Sequence, residues 1–119
     1  RKGPLDLIYQ QELLEFNSYE VFVCEFFKDE RYLEMDHFIP QFHWLVDKHN
    51  NLCMDYIGRF EKIEEFFDKL IKKFQITSSV KPHNKTAIKK DIKYTAAMKE
   101  IINKVYAKDF EFFNYIQLK

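Results

Sequence analysis

The sequence predicts a small α/β fold, mostly helical, with two short strands. Three observations predict it. Ile63, Phe66, Phe67, Leu70, Ile71 and Phe74 recur on one face of a 3.6-residue period, with Lys62, Glu65, Lys69, Lys72 and Lys73 opposite. Residues 42–47 alternate, with Phe42, Trp44 and Val46 on one face and His43, Leu45 and Asp47 on the other. The turn-forming Lys48-His49-Asn50-Asn51 then separates them from a second extended run, 52–57. Met98, Ile101, Ile102, Val105, Tyr106, Asp109, Phe112 and Phe113 make a second helical stripe.

Composition bounds the reading. The 119 residues suffice for one domain, and the 13 Phe and 7 Tyr call for a large core or for a neighbouring surface that covers them. Lys+Arg and Asp+Glu both number 19, so the formal charge is zero and the basic excess of a nucleic-acid binder is missing. No apolar run approaches the ~20 residues of a membrane span. Cys24 and Cys53 lack metal-ligand spacing and read either as buried thiols or as one bridge. The histidines, His37, His43, His49 and His83, have no zinc-site spacing, and no metal is expected. Because the chain opens on Arg1 rather than Met, it reads as part of a longer protein.

The elements follow in order. Pro4 suits the first turn of a helix over 4–16 with Leu5, Ile8, Tyr9, Leu13 and Phe16 on its apolar face. Asn17 or Ser18 caps a second helix over 18–28, Asn17 with Glu20 matching a capping box. The dense apolar run 21–27 also fits a buried strand. Residues 29–36 form a charged connection. Pro40 makes the segment around it extended. A helix over 61–74 gathers Glu61, Glu64 and Glu65 in its first turns and lysines in its last, as the helix dipole favours. Residues 75–82 are a loop by composition, and Thr95 caps a last helix over 95–113. Asp109 falls on that helix's apolar stripe, where a carboxylate needs a partner; Arg59 or a backbone turn would serve.

Four segments resemble one enzyme family. Tyr56-Ile57-Gly58-Arg59-Phe60-Glu61, followed by Glu65-Phe66, is similar to a signature of the Golgi-type carbohydrate sulfotransferases and their bacterial and viral relatives. That family contains the heparan sulfate 2-O-sulfotransferases and the chondroitin and dermatan sulfotransferases. His37-Phe38-Ile39-Pro40-Gln41 resembles its H-(F/W)-x-P-Q motif, and Pro82-His83-Asn84-Lys85-Thr86 its P-H-x-(N/R)-x-(S/T) loop. Tyr106 to Tyr115 resembles its closing Y-x-x-D-(F/I)-x-x-F-G-Y, with Asn114 in place of glycine. Asn tolerates the left-handed backbone that ends helices, so this departure is mild. The segments occur in the family's order and span Asn17 to Tyr115.

The resemblance implies the C-terminal part of a P-loop-like sulfotransferase domain that uses PAPS (3′-phosphoadenosine 5′-phosphosulfate) to sulfate a carbohydrate hydroxyl. It places Asn84, Lys85 and Thr86, helped by Lys89 and Lys90, on the donor nucleotide, where an amide, a hydroxyl and ammonium groups suit phosphate oxygens. The same residues also read as a solvated basic loop. Asn84-Lys85-Thr86 is moreover a glycosylation sequon, and a glycan there would obstruct a donor-closing loop. His37 and Gln41 either line the cleft or satisfy backbone groups in an irregular loop. The family's Gly/Ser/Thr-rich phosphate loop and its R-x-P-x-x-R-x-x-S segment have no counterpart here, and no general base is assigned. The implied partners are a carbohydrate acceptor and the rest of the domain, or another chain, over the Phe-rich faces. The implied compartment is the Golgi lumen for a eukaryotic member and the cytoplasm for a bacterial or viral one. The competing reading is a non-catalytic helical interaction module that docks through those faces.

Overall fold

The computed structural model describes residues 10–78 and 91–119, which divide between two compact units. One holds the described residues up to Leu52 together with Ile92–Lys119, and the other those within Cys53–Asp91.

In the first unit, residues 10–13 are helical and unwind through Leu14 to Phe16. Helix α1, Tyr19–Phe26, starts where the Ser18 hydroxyl accepts a hydrogen bond from the Val21 amide at 3.2 Å. The cap is thus Ser18, and the dense apolar run after it is helix, not strand. The charged connection is ordered as a 3₁₀ turn over Glu30–Glu34, because the Asp29 carboxylate accepts from the Arg31 amide at 3.0 Å. Both arrangements satisfy helix-start donors that would otherwise be unpaired.

The expected strands do not form, and this corrects the α/β reading: among the described residues the fold is helical, with no sheet. Phe42–Leu45 is a single helical turn, α2. Its first amides are captured by a distant side chain. The Asp109 carboxylate accepts from the backbone N–H of Gln41 at 2.8 Å and of Phe42 at 2.7 Å. His43 and Trp44 then donate back to the carbonyls of Pro40 and Gln41, closing the turn. Phe42 is buried while Trp44 is 57% exposed, so the alternation does not translate into two faces. Residues 52–57 form no strand: Leu52 bridges Val46, and the rest is without regular structure, with a bend at Asp55. The turn between them is as expected. Asn50 adopts φ 63, and the Asp47 carboxylate accepts from the amides of His49 and Asn51.

The C-terminal stripe is helical but broken at Tyr106 into α4, Ala96–Val105, and α5, Ala107–Phe112; α3 is the helix of the second unit, described below. Thr95 caps α4 by accepting from the Met98 amide at 3.4 Å. α1 packs on α4, and α2 on α5. Val23, Phe26, Met35, Pro40, Phe42 and Met98 are buried. With them Phe16, Phe22, Phe26, Phe27, Phe38, Tyr32 and Tyr106 form a continuous cluster of rings, mostly edge-on or tilted, with Phe22 and Phe26 stacked.

In the second unit a 3₁₀ turn, Phe60–Lys62, leads into α3, Ile63–Phe74. Gln75 ends it at φ 53, with Ile76 N–H donating to the Ile71 carbonyl, a left-handed C-terminal closure made without glycine. The Phe66 ring lies on the backbone of Gly58: a Cβ there would sit 2.3 Å from Phe66 Cγ. Tyr56 meets Phe74 edge to face, and Lys73 lies over the Tyr56 ring, 4.6 Å from its centroid. No described residue of this unit is buried.

Candidate functional site: an aromatic cleft and a pinned loop

Of the residues the sequence nominates, His37 and Gln41 fall in the first unit. Both are exposed, on the segment between the 3₁₀ turn and α2. Asn84, Lys85, Thr86, Lys89 and Lys90 lie outside the described residues, as does the basic loop that carries them.

The segment 37–42 is held at two points by the last helices. Tyr106 Oη donates to the Phe38 carbonyl at 2.9 Å, and Asp109 takes the amides of Gln41 and Phe42. Tyr106 and Asp109 stand three apart, on one face of the chain as it passes from α4 into α5. Of the two partners the sequence allows for Asp109, the backbone turn is the one observed. The Tyr106 phenol is pushed up to about 12, first by burial and then by the negative charge of Asp109. It is therefore a protonated, committed hydrogen-bond donor rather than an acid poised near neutrality.

Beside this clamp lies a cleft of about 350 Å³. Its walls are largely aromatic, with Tyr19, Phe22, Phe27, Phe38, Tyr94 and Tyr106 joined by Ile102 and Leu118. Among the described residues, no charged one lines it. Burial, then the neighbouring Tyr94, raises the Tyr19 phenol, so the walls are neutral. Such a cleft suits an apolar or flat group and disfavours a phosphate or sulfate, which would be desolvated without a counter-charge.

A further constellation escapes sequence reasoning. Asn103, in the last turn of α4, donates through Nδ2 to the Leu118 carbonyl at 2.9 Å and accepts through Oδ1 from the Leu118 amide at 2.8 Å. Lys99 Nζ reaches the carbonyl of Lys119. The one sequence signal was an Asn inside a helix, where its propensity is poor.

Among the described residues, no group of three or more His, Cys, Asp or Glu is placed to hold a metal ion, and no helix is long and apolar enough to cross a membrane. Cys24, half-buried, and Cys53, exposed, are not bridged by a disulfide. No protein-family model matches the chain, and neither a curated protein nor a solved structure shows a significant match to it.

Proposed function

We propose that the chain carries the C-terminal part of a PAPS-dependent carbohydrate sulfotransferase. One observation carries the reading: two of the four family-like segments, far apart in sequence, are tied together, the signature Tyr106 and Asp109 of one holding the backbone of the other. Through three hydrogen bonds, Tyr106 and Asp109 of the closing segment hold the backbone of Phe38 and Gln41 in the His37–Gln41 segment and of Phe42 directly after it. A signature that serves a shared architecture is expected to interlock in this way. Within a third segment, Gly58 admits the ring of Phe66, so those two positions also depend on each other.

In this reaction a sugar hydroxyl oxygen forms a new bond to sulfur as the sulfur–oxygen bond to the nucleotide phosphate breaks. The hydroxyl proton passes to a base, which is not assigned in this chain. The task of Asn84, Lys85, Thr86, Lys89 and Lys90 is to bind the donor nucleotide and balance its phosphate charge.

The test is a calorimetric titration of the product nucleotide, 3′-phosphoadenosine 5′-phosphate, into the protein together with any segment that precedes Arg1. Lys85→Ala with Thr86→Ala should weaken binding while leaving the melting temperature unchanged. Each lost charge-assisted hydrogen bond is worth about 1.5–3 kcal/mol, so the loss is easily read. Unchanged affinity in that double variant, or a glycan on Asn84, returns the loop to a solvated surface.

A second reading, the helical interaction module, is favoured by the second unit, where Phe60 is 80% exposed and Phe74 54%. Apolar side chains clustered at such exposure mark a surface that takes a partner. Sulfuryl transfer from labelled PAPS to a panel of glycosaminoglycans, assayed on the protein together with any segment that precedes Arg1, separates the two readings: transfer sustains the enzyme, and the lack of both transfer and nucleotide binding by that longer protein counts against it.

A further inference from the structure

The double hydrogen bond between Asn103 and Leu118 has the pattern by which one strand residue binds another. A side-chain amide offers one donor and one acceptor on the same edge. To engage both, the N–H and C=O of a single residue must point the same way, as they do in extended backbone. Asn103 therefore reads extended backbone at Leu118 without reference to sequence. The side chain is read separately, since Leu118 borders the neutral aromatic cleft beside Tyr19, Phe22, Tyr106 and Ile102. About 350 Å³ stays open with Leu118 in place. That is at the low end of the volumes of small-molecule sites, and ample for a side chain.

The chain brings its own residues 115–119 to this place. Asn114 turns left-handed at φ 56, Tyr115 N–H closes on the Phe110 carbonyl, and residues 115–119 run on without regular secondary structure. Ile116 is 82% exposed, while Leu118 is held by Asn103 and Lys119 by Lys99.

We propose that Asn103 and the aromatic cleft form a recognition site for an extended peptide bearing a leucine-like side chain, occupied in cis by residues 115–119. The occupant's chemistry follows from the segment seated there: backbone for the amide, an aliphatic residue at the cleft wall, and no charge at that position because the described lining residues offer none a partner. This site is independent of the sulfotransferase reading.

The test uses the full chain and, as probe, the acetylated peptide Tyr-Ile-Gln-Leu-Lys. Leu118→Asp expels the tail by placing a charge against the cleft. A tethered tail competes at an effective concentration in the millimolar range, so the peptide should bind Leu118→Asp at least about tenfold more tightly than the wild type. Adding Asn103→Ala should abolish that gain, and a peptide with Asp in place of its leucine should not bind. A folded Leu118→Asp protein that ignores the peptide, or binds it equally well without Asn103, overturns the proposal. Should Leu118→Asp unfold, the wild type decides: millimolar peptide should release the Leu118 amide to fast hydrogen exchange, and undiminished protection at saturation overturns the site.

Discussion

At the scale of single residues, the two groups that join the ends of the first unit differ in what they contribute. Asp109 serves two helix-start amides at once, those of Gln41 and Phe42. Asp109→Ala leaves both without their acceptor, and the Phe42 amide sits against a buried ring; the expected loss is about 2 kcal/mol by urea unfolding. Asp109→Asn, which keeps one acceptor oxygen, should lose less. Tyr106 carries a pH dependence. Its phenol titrates at about 12 in the fold against 10.0 for the ordinary group. Over that interval the unfolded chain binds fewer protons than the folded one, so stability falls as pH rises. The contribution is fully present below about pH 10 and is lost as pH passes through about 12. Thermal unfolding between these limits should show that fall, and Tyr106→Phe should flatten the part due to this group. A wild-type slope identical to that of the Phe variant would count against it. Gly58 has a steric role: Gly58→Ala puts a methyl 2.3 Å from Phe66 Cγ. The ring or the 53–59 backbone must then move, at about 2 kcal/mol, read as loss of α3 helicity by circular dichroism.

At the scale of elements, caps and closures decide where helices begin and end. α5 ends on Asn114 at φ 56, a conformation that glycine adopts with less strain. Asn114→Gly should stabilise the first unit by about 0.5 kcal/mol, a small upward shift in melting temperature, and a downward shift would show that the Asn side chain matters there. These features were legible in the sequence because they are local. The spacing of Ile63 to Phe74, the acids and lysines at that helix's ends, Thr95 ahead of α4 and the Asp47–Asn51 turn each act through neighbours within four residues. The strand at 42–47 was misread because its outcome is set from 68 residues away, by a carboxylate that turns the segment's first amides into a helix start. Local alternation cannot see such a partner. The site was legible in the same uneven way. Asp109 announced itself as a lone acid on an apolar stripe. Asn103 did not, since its meaning depends on a backbone returning from Leu118. The donor loop read from Asn84 to Lys90 lies outside the described residues and stands on its chemistry alone.

At the scale of the whole molecule, burial is unequally shared. Val23, Phe26, Met35, Phe42 and Met98 are buried, and all belong to the first unit; no described residue of the second is. α3 nevertheless has a strongly two-sided sequence, so its stability hinges on what covers Ile63, Phe66, Phe67, Leu70, Ile71 and Phe74. Tyr56 and the Gly58 backbone cover part of that face, while Ile63 stays 39% and Phe74 54% exposed. The surface pair Glu65–Lys69, both side chains largely exposed, adds little to this balance. A helix of 12 residues with its apolar face half-wet is marginal by itself. The expected consequence is two tiers of native-state hydrogen exchange. Amides of α1 and α4 should exchange only with global unfolding, whereas those of α3 should exchange through local opening, with protection at least about a hundredfold lower. A partner surface that covers the Phe66–Phe74 face should raise α3 protection and leave α1 unchanged. Equal protection in α1, α4 and α3 of the isolated chain would mean that α3 is already covered, and the interaction-module reading would lose its support.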